Sequence, residues 1–183
     1  MNFVALQELA EINPPAPKLA SDEEVSFLPM ADASEDGSVS ISTMRRYADV
    51  KTGYTGFRNG DVLVAKVTPC FENNKTVHAV LPTANGFGST EFHVVRARDG
   101  VDSRYLFHFL RQDRVRIEGE RRMTGSGGQR RVPKGFFEAL QLPAVSLSEQ
   151  QRIAAILDQA DALRRLRQQS FYHLNELGFV DKG

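Results

Sequence analysis

The sequence of 183 residues predicts an α+β protein: a globular domain with a twisted β-sheet and short helices, followed by one long C-terminal coiled-coil helix. Three observations lead there. β-branched and aromatic runs bounded by turn residues fill much of the first hundred positions. From Ser103 the apolar spacing changes from two to three and four. Finally, after Pro143 the string "LPAVSLSEQQRIAAILDQADALRRLRQQS" reads as a capped helix longer than a domain of this size needs for its own core.

Taken in order, Leu6–Ile12 has Leu6, Leu9 and Ala10 on one side and is read as a short helix, stopped by "NPPAP", because the residue before a proline avoids the helical region. Five strands are expected next: Val25–Met30, Ser38–Ser42, Asp61–Val67, Thr76–Leu81 and Glu91–Ala97. Turn strings such as "EDGS", "FRNGD", "ENNK" and "ANGFGS" bound them, which suggests a strongly bent antiparallel or mixed sheet. Asp102 is a capping residue, and Leu106, Phe109, Leu110 and Ile117 stand at helical spacing, so a helix is expected over Ser103–Glu118. "RRMTGSGGQRR" (Arg121–Arg131), with three glycines in four positions, is expected to be a flexible basic loop. Pro133 then suits the first turn of a short helix carrying Phe136, Phe137 and Leu140.

The last helix starts with overlapping capping boxes, Ser146 with Glu149 and Ser148 with Gln151. Ile153, Ile156, Ala160 and Leu163, then Arg167, Ser170, Leu174 and Leu177, follow a three-four spacing. That is a coiled-coil seam with a polar waist. An amphipathic helix folded back on its own domain is the competing reading. The expected division is a domain over 1–146, a dimerisation or spacer helix over 147–178 and a tail over 179–183.

Composition narrows the function. Charged residues make up 25% of the chain, and no apolar run approaches the roughly 20 residues of a membrane span. The amino terminus lacks the basic start of a signal peptide, so a cytoplasmic location is expected. One cysteine, Cys70, excludes an internal disulfide, and no His or Cys pair has zinc-ligand spacing, so no metal or other cofactor is expected. The formal net charge of zero is a cancellation: residues 1–50 carry three basic and nine acidic side chains, and residues 96–134 eleven basic and five acidic. Segregated charge of this kind suits a polyanion on one face, or a solvated Arg-rich helix paired with acids elsewhere.

Several strings imitate catalytic motifs and lack a needed group. "NPPA" (Asn13–Ala16) resembles the Asn-Pro-Pro-aromatic motif of amino-methyltransferases, but Ala16 stands where a ring would stack a flipped base. Asp61, Glu72 and Lys75 do not alternate on one strand face as a nuclease site needs. No Walker loop occurs. His78, His93 and His108 have no evident Ser or Cys partner. By contrast, basic, amide and glycine residues gather in two loops, "ENNK" and "TGSGGQRR". Arg and Lys contact phosphates, while Asn, Gln and Arg present the paired groups that read base edges.

Over most of its length the chain resembles a specificity subunit of a type I restriction-modification system, namely one target-recognition domain with its conserved helix. The residues that carry the resemblance are "LQELAEINP", "GDVLVAKVTPCFENNK", "STEFHVVRA", "SRYLFHFL", "TGSGGQRRVPK" and above all "LQLPAVSLSEQQRIAAILDQAD". The resemblance implies a non-enzymatic protein that recognises half of a bipartite target in double-stranded DNA. Modification subunits that bind S-adenosylmethionine and methylate adenine, and restriction and translocation subunits, would be its partners. Family members commonly have two recognition domains and two such helices, whereas one of each is present here. A homodimer through the helix is therefore expected, unless the chain is a fragment.

Asn73, Asn74, Lys75, Arg121, Arg122, Gln129, Arg130, Arg131 and Lys134 are the expected DNA contacts, and Ile153, Ile156, Ala160, Leu163, Leu174 and Leu177 the expected dimer contacts. Two other readings stay open at this stage. One is a methyltransferase or nuclease fragment, which the missing cofactor loop disfavours. The other is a helical adaptor, which the basic loop disfavours.

Overall fold

The computed structural model describes residues 2–41, 43–126 and 128–176. Strand β1 (Phe3–Ala5), helix α1 (Leu6–Leu9) and strand β2 (Ala10–Ile12) open the chain. The expected first helix therefore ends three residues early, because Ala10–Ile12 pairs antiparallel with a strand 85 residues away, Ala10 opposite Ala97 and Ile12 opposite Val95. Next come β3 (Glu24–Leu28), β4 (Thr43–Arg46), α2 (Tyr47–Val50), β5 (Thr55–Arg58), β6 (Val62–Ala65), β7 (Thr76–His78), β8 (Asn85–Gly88) and β9 (Phe92–Ala97). The remainder is α3 (Ser103–Leu110), α4 (Asp113–Arg121), α5 (Lys134–Ala139), β10 (Gln141–Pro143) and α6 (Leu147–Glu176).

Two four-stranded sheets replace the single bent sheet expected. One has the order β2-β9-β6-β7 and is antiparallel throughout; the other has the order β4-β3-β8-β5, with β3 and β8 parallel. A two-stranded ribbon, β1 with β10, closes the ends of the domain. The run "VLVA" on β6 explains how the layers stack. Val62 and Val64 point into a core with Leu6, Leu106, Phe109, Leu110 and Phe137, while Leu63 and Ala65 point into a second core with Leu28, Phe57, Phe92 and Val94. A strand buried on both faces reads as an unbroken apolar run. The first sheet is thus the middle layer, with helices on one face and the second sheet on the other.

Three further expectations need correction. Ser38–Ile41 forms no strand, only a bridge between Val39 and Ala33, and the pairing strand is Thr43–Arg46. The helix expected over Ser103–Glu118 is two helices. Gln112 between them is extended (φ −64°, ψ 139°), and the guanidinium of Arg111 turns inward to donate to the carbonyls of Asn74, Thr76 and Glu35. After the break Val115 is buried, and Ile117 is exposed instead. The basic loop, finally, is anchored along its return leg by backbone hydrogen bonds to residues 66–68.

Helix α6 begins where its cap predicts, with the Glu149 amide donating to Ser146 Oγ at 3.3 Å. Its thirty residues would extend about 45 Å at 1.5 Å per residue. Its first half lies on α3 through a stripe that is mostly polar. Gln150 is buried, accepts from the Asp102 amide at 2.9 Å and donates to the Val145 carbonyl at 3.0 Å; Ala154 is buried, and Asp158 and Asp161 reach His108.

Candidate nucleic-acid interface

The basic loop leaves α4 at Arg121 and is closed by two backbone hydrogen bonds, Thr124 N–H to the Arg131 carbonyl at 3.0 Å and Arg131 N–H to the Thr124 carbonyl at 2.8 Å. Gly125 makes the turn possible: its φ is +117°, and a side chain there would meet the Gln129 carbonyl oxygen at 2.9 Å. The return leg runs along the chain beyond β6, where Thr68 N–H donates to the Arg130 carbonyl at 3.0 Å and Val132 N–H to the Lys66 carbonyl at 2.9 Å. Glycine content made this stretch look flexible. Backbone pairing with residues 66–68, remote in sequence, fixes its base, and Gly125, Ser126, Gly128 and Gln129 at the tip are exposed.

A buried imidazole locks the same region from below. His93 Nε2 lies 2.9 Å from the Val132 carbonyl, which can only accept, so that nitrogen carries the proton. Nδ1 is then free to accept from the Asn13 amide at 2.9 Å, while Asn13 Oδ1 accepts from the Val94 amide at 3.0 Å. Burial pushes the His93 pKa down and keeps this neutral form. The amide of "NPPA" is therefore consumed in tying the proline-rich segment to the loop base, and its resemblance to a methyltransferase motif ends there.

The expected contacts do not form one cluster. Glu72, the first residue of "ENNK", accepts from Thr68 Oγ1 at 2.8 Å and lies 3.6 Å from Arg130, but the three residues after it turn away. Asn73 donates to Glu35 at 2.9 Å, and Lys75 to the Met30 carbonyl at 3.3 Å. Asn74, at φ +57°, donates to the Arg111 carbonyl at 3.3 Å. Asn74 and Lys75 hold the turn against the domain.

The loop cations also have acids beside them, which nothing in the local sequence pattern indicates. Arg131 grips Glu91 with two bonds of 2.9 and 2.8 Å, and this guanidinium holds the Glu91 carboxyl below the usual carboxylate range. Arg122 pairs with Glu118 at 3.0 Å and Lys134 with Glu138 at 2.9 Å, each one helical turn away. These pairs leave much of each cation in solvent: the side chains of Arg130 and Arg131 are each 43% exposed. Among the described residues, the side chains of Arg121 and Gln129 have neither an acid nor a hydrogen-bond partner.

On α6, about 100° per residue sets Gln150, Ala154, Asp158, Asp161 and Arg165 on one line, facing the domain. Ile156, Leu163, Ser170 and Leu174 fall roughly 180° away and Ala160 about 120° away, and all five are exposed. Ile153 sits on the flank, partly buried against the domain core, and Leu177 lies outside the described residues. The helix thus packs on its own domain at its start, as the competing reading expects, and also leaves an apolar face exposed.

Residues 1–171 match the family model described as Type I restriction modification DNA specificity domain. The chain belongs to this family. It is 40% identical over 178 residues to the type I restriction enzyme EcoAI specificity subunit of Escherichia coli and 37% identical to the EcoEI specificity subunit of the same organism. Each alignment covers 94% of this chain and 30% of the relative, so the chain spans about a third of the length of these curated relatives. In fold it is similar to the HsdS subunit from Thermoanaerobacter tengcongensis, with a TM-score of 0.70 at 20% identity over 96% of this chain and 47% of that one. It is also similar to a chain solved for complex assembly and conformational transition of a type I R-M system, with a TM-score of 0.63 at 20% identity, covering 96% and 43% of the two chains. No described helix is long and apolar enough to cross a membrane, and no three metal-binding side chains cluster among the described residues.

Proposed function

We propose that this specificity domain is a non-catalytic DNA-reading module, working in the cytoplasm, that recognises one half of a bipartite duplex target and directs modification and restriction subunits to it. The observation that carries this reading is the doubly anchored loop. Its base is closed by backbone hydrogen bonds, the Gln129 side chain has no partner among the described residues, Arg121 is exposed, and Arg130 and Arg131 keep 43% of their side chains in solvent, in a chain of a DNA specificity family. A loop fixed at its base reads bases at lower entropic cost than a mobile one.

In this reading Gln129 and Arg130 at the tip face base edges, while Arg121, Arg122, Arg131 and Lys134 contact phosphates. Asn73 is a peripheral contact, and Asn74 and Lys75 act by shaping the turn. The outward seam of α6 receives a second helix of the same kind, either from another copy or from a further segment of a longer subunit. In a homodimer the pair would be isologous, so the preferred target would be a palindrome with a non-specific spacer.

Selecting duplexes from a random pool with the chain plus its modification subunit, then comparing Arg130→Ala and Arg131→Ala on the selected site, tests the reading. Lost discrimination supports it. Unchanged DNA affinity with lost subunit binding would assign the loop to the protein partner instead.

A further inference from the structure

Beside the loop base lies a concave site of about 240 Å³. Asn13, Ala16, Tyr54, Thr55, Lys66 and Phe92 are among the residues that line it. Its geometry is fixed by contacts already described. Asn13 is bound through His93 to Val132, and the Lys66 backbone donates to the Glu91 carbonyl at 2.9 Å and accepts from Val132 at 2.9 Å. Gly56 lets the proline-rich wall lie close, since a Cβ there would meet Ala16 Cβ at 2.8 Å and Pro17 Cδ at 2.9 Å.

The chemistry of the lining is uneven. Phe92 is buried beneath it, whereas Tyr54 is 37% exposed, its ring set edge-on to Phe27 at 5.1 Å. Among the described residues, the Tyr54 and Thr55 hydroxyls and the Lys66 ammonium have no hydrogen-bond or ion-pair partner. Glu91 is the acid whose charge Lys66 feels, but both of its oxygens are taken by the Arg131 fork. One cationic and two hydroxyl-bearing side chains thus line an open notch, next to a loop in which Arg122, Arg130 and Arg131 are matched by carboxylates. A tetrahedral anion with several acceptor oxygens fits this donor set better than a planar base edge does.

We infer that Lys66, Tyr54 and Thr55 form a notch for a backbone phosphodiester of the duplex, a sequence-independent contact that sets the register of the neighbouring loop. This inference rests on the DNA-reading function proposed above. A phosphate contact of this type fixes position and carries no base information, so the Gln129 tip would be aimed by it without depending on it for specificity.

The test uses a random-sequence duplex as probe and the chain with its modification subunit, titrated over a range of salt. Wild-type binding should weaken with salt. Lys66→Ala should lose roughly tenfold in affinity and lower the salt slope by about one unit, on random and selected duplexes alike, with its unfolding midpoint unchanged. Lys66→Arg should retain the slope. If wild type binds and Lys66→Ala matches it in affinity and slope, the notch is not a phosphate site, although the DNA-reading function stands. A loss confined to the selected duplex would likewise overturn it, since that would make Lys66 a base reader. If wild type itself shows no salt-dependent binding, both readings fall.

Discussion

His108 on α3 and Asp158 on α6 meet at 2.7 Å, the imidazole Nε2 donating to a carboxylate that Arg104 grips as well. This is the main polar joint between the globular domain and its long helix. Burial would raise the Asp158 pKa, but the hydrogen bonds from Arg104 and His108 outweigh it and hold the carboxyl below the ordinary range. A polar joint is directional, and it fixes the rotation of α6 so that the apolar seam faces away from the domain.

Asp158→Ala should therefore destabilise the domain by about 1 to 2 kcal/mol, since it strands a buried imidazole and a guanidinium. Denaturant unfolding reads the loss. Hydrogen exchange should rise in the first half of α6 before any change in the sheets. Equal stability of the variant would mean that apolar contacts alone seat the helix.

Opposite faces of α6 should respond differently to the same charge. Ala154→Asp buries a carboxylate beside the core and should cost more than about 3 kcal/mol, while Ile156→Asp and Leu163→Asp, on the exposed seam, should leave the domain's midpoint unchanged. Light scattering or analytical ultracentrifugation checks the consequence. The seam variants should abolish self-association at tens of micromolar if wild type pairs through this face.

Acid should weaken the fold before its carboxylates titrate. Burial, helped by the nearby Arg104 charge, lowers the His78 pKa from 6.5 to about 4, and burial lowers His93 as well. The unfolded chain takes up these protons as pH falls below 6.5 and the folded chain does not. Stability is thus fully present above 6.5 and is lost on the way down to about 4, by on the order of 3 kcal/mol for His78. Thermal melts at closely spaced pH values check it, and His78→Gln should flatten the slope in that window.

Close packing of α4 against the loop's neighbourhood gives another test. A Cβ on Gly119 would lie 2.4 Å from Cζ of Phe71, a ring that is itself buried, so Gly119→Ala should cost about 1 to 3 kcal/mol despite the better helix propensity of alanine. A gain in midpoint would contradict the packing described.

What the sequence disclosed follows from how local each signal is. The cap at Ser146 and the apolar run Val62–Ala65 are written in neighbouring residues and are found as expected. Strand β8 hides in "NGFG", which reads as a turn until it pairs with β3 and β5. Strand β10 is three residues long and exists because β1 lies beside it. The helix break at Gln112 reflects Arg111 bonding to carbonyls some 35 residues or more away. In the site, the loop cations were visible but their acids were not. Glu72 and Glu91 reach Arg130 and Arg131 only through pairing of segments about 40 or more residues apart. Lys66 stands inside an apolar strand string, and nothing beside it in sequence points to the notch it lines.

The central claim, that the tip of the 124–131 loop reads base edges, is tested most directly by the ratio of affinities for a selected duplex and a random one, measured for wild type and for Gln129→Ala. A base-reading glutamine predicts a loss of about 1 to 3 kcal/mol on the selected duplex and almost none on the random one, and so a collapsed ratio. An unchanged ratio for both Gln129→Ala and Arg130→Ala would contradict the claim and move base recognition to another face of the domain.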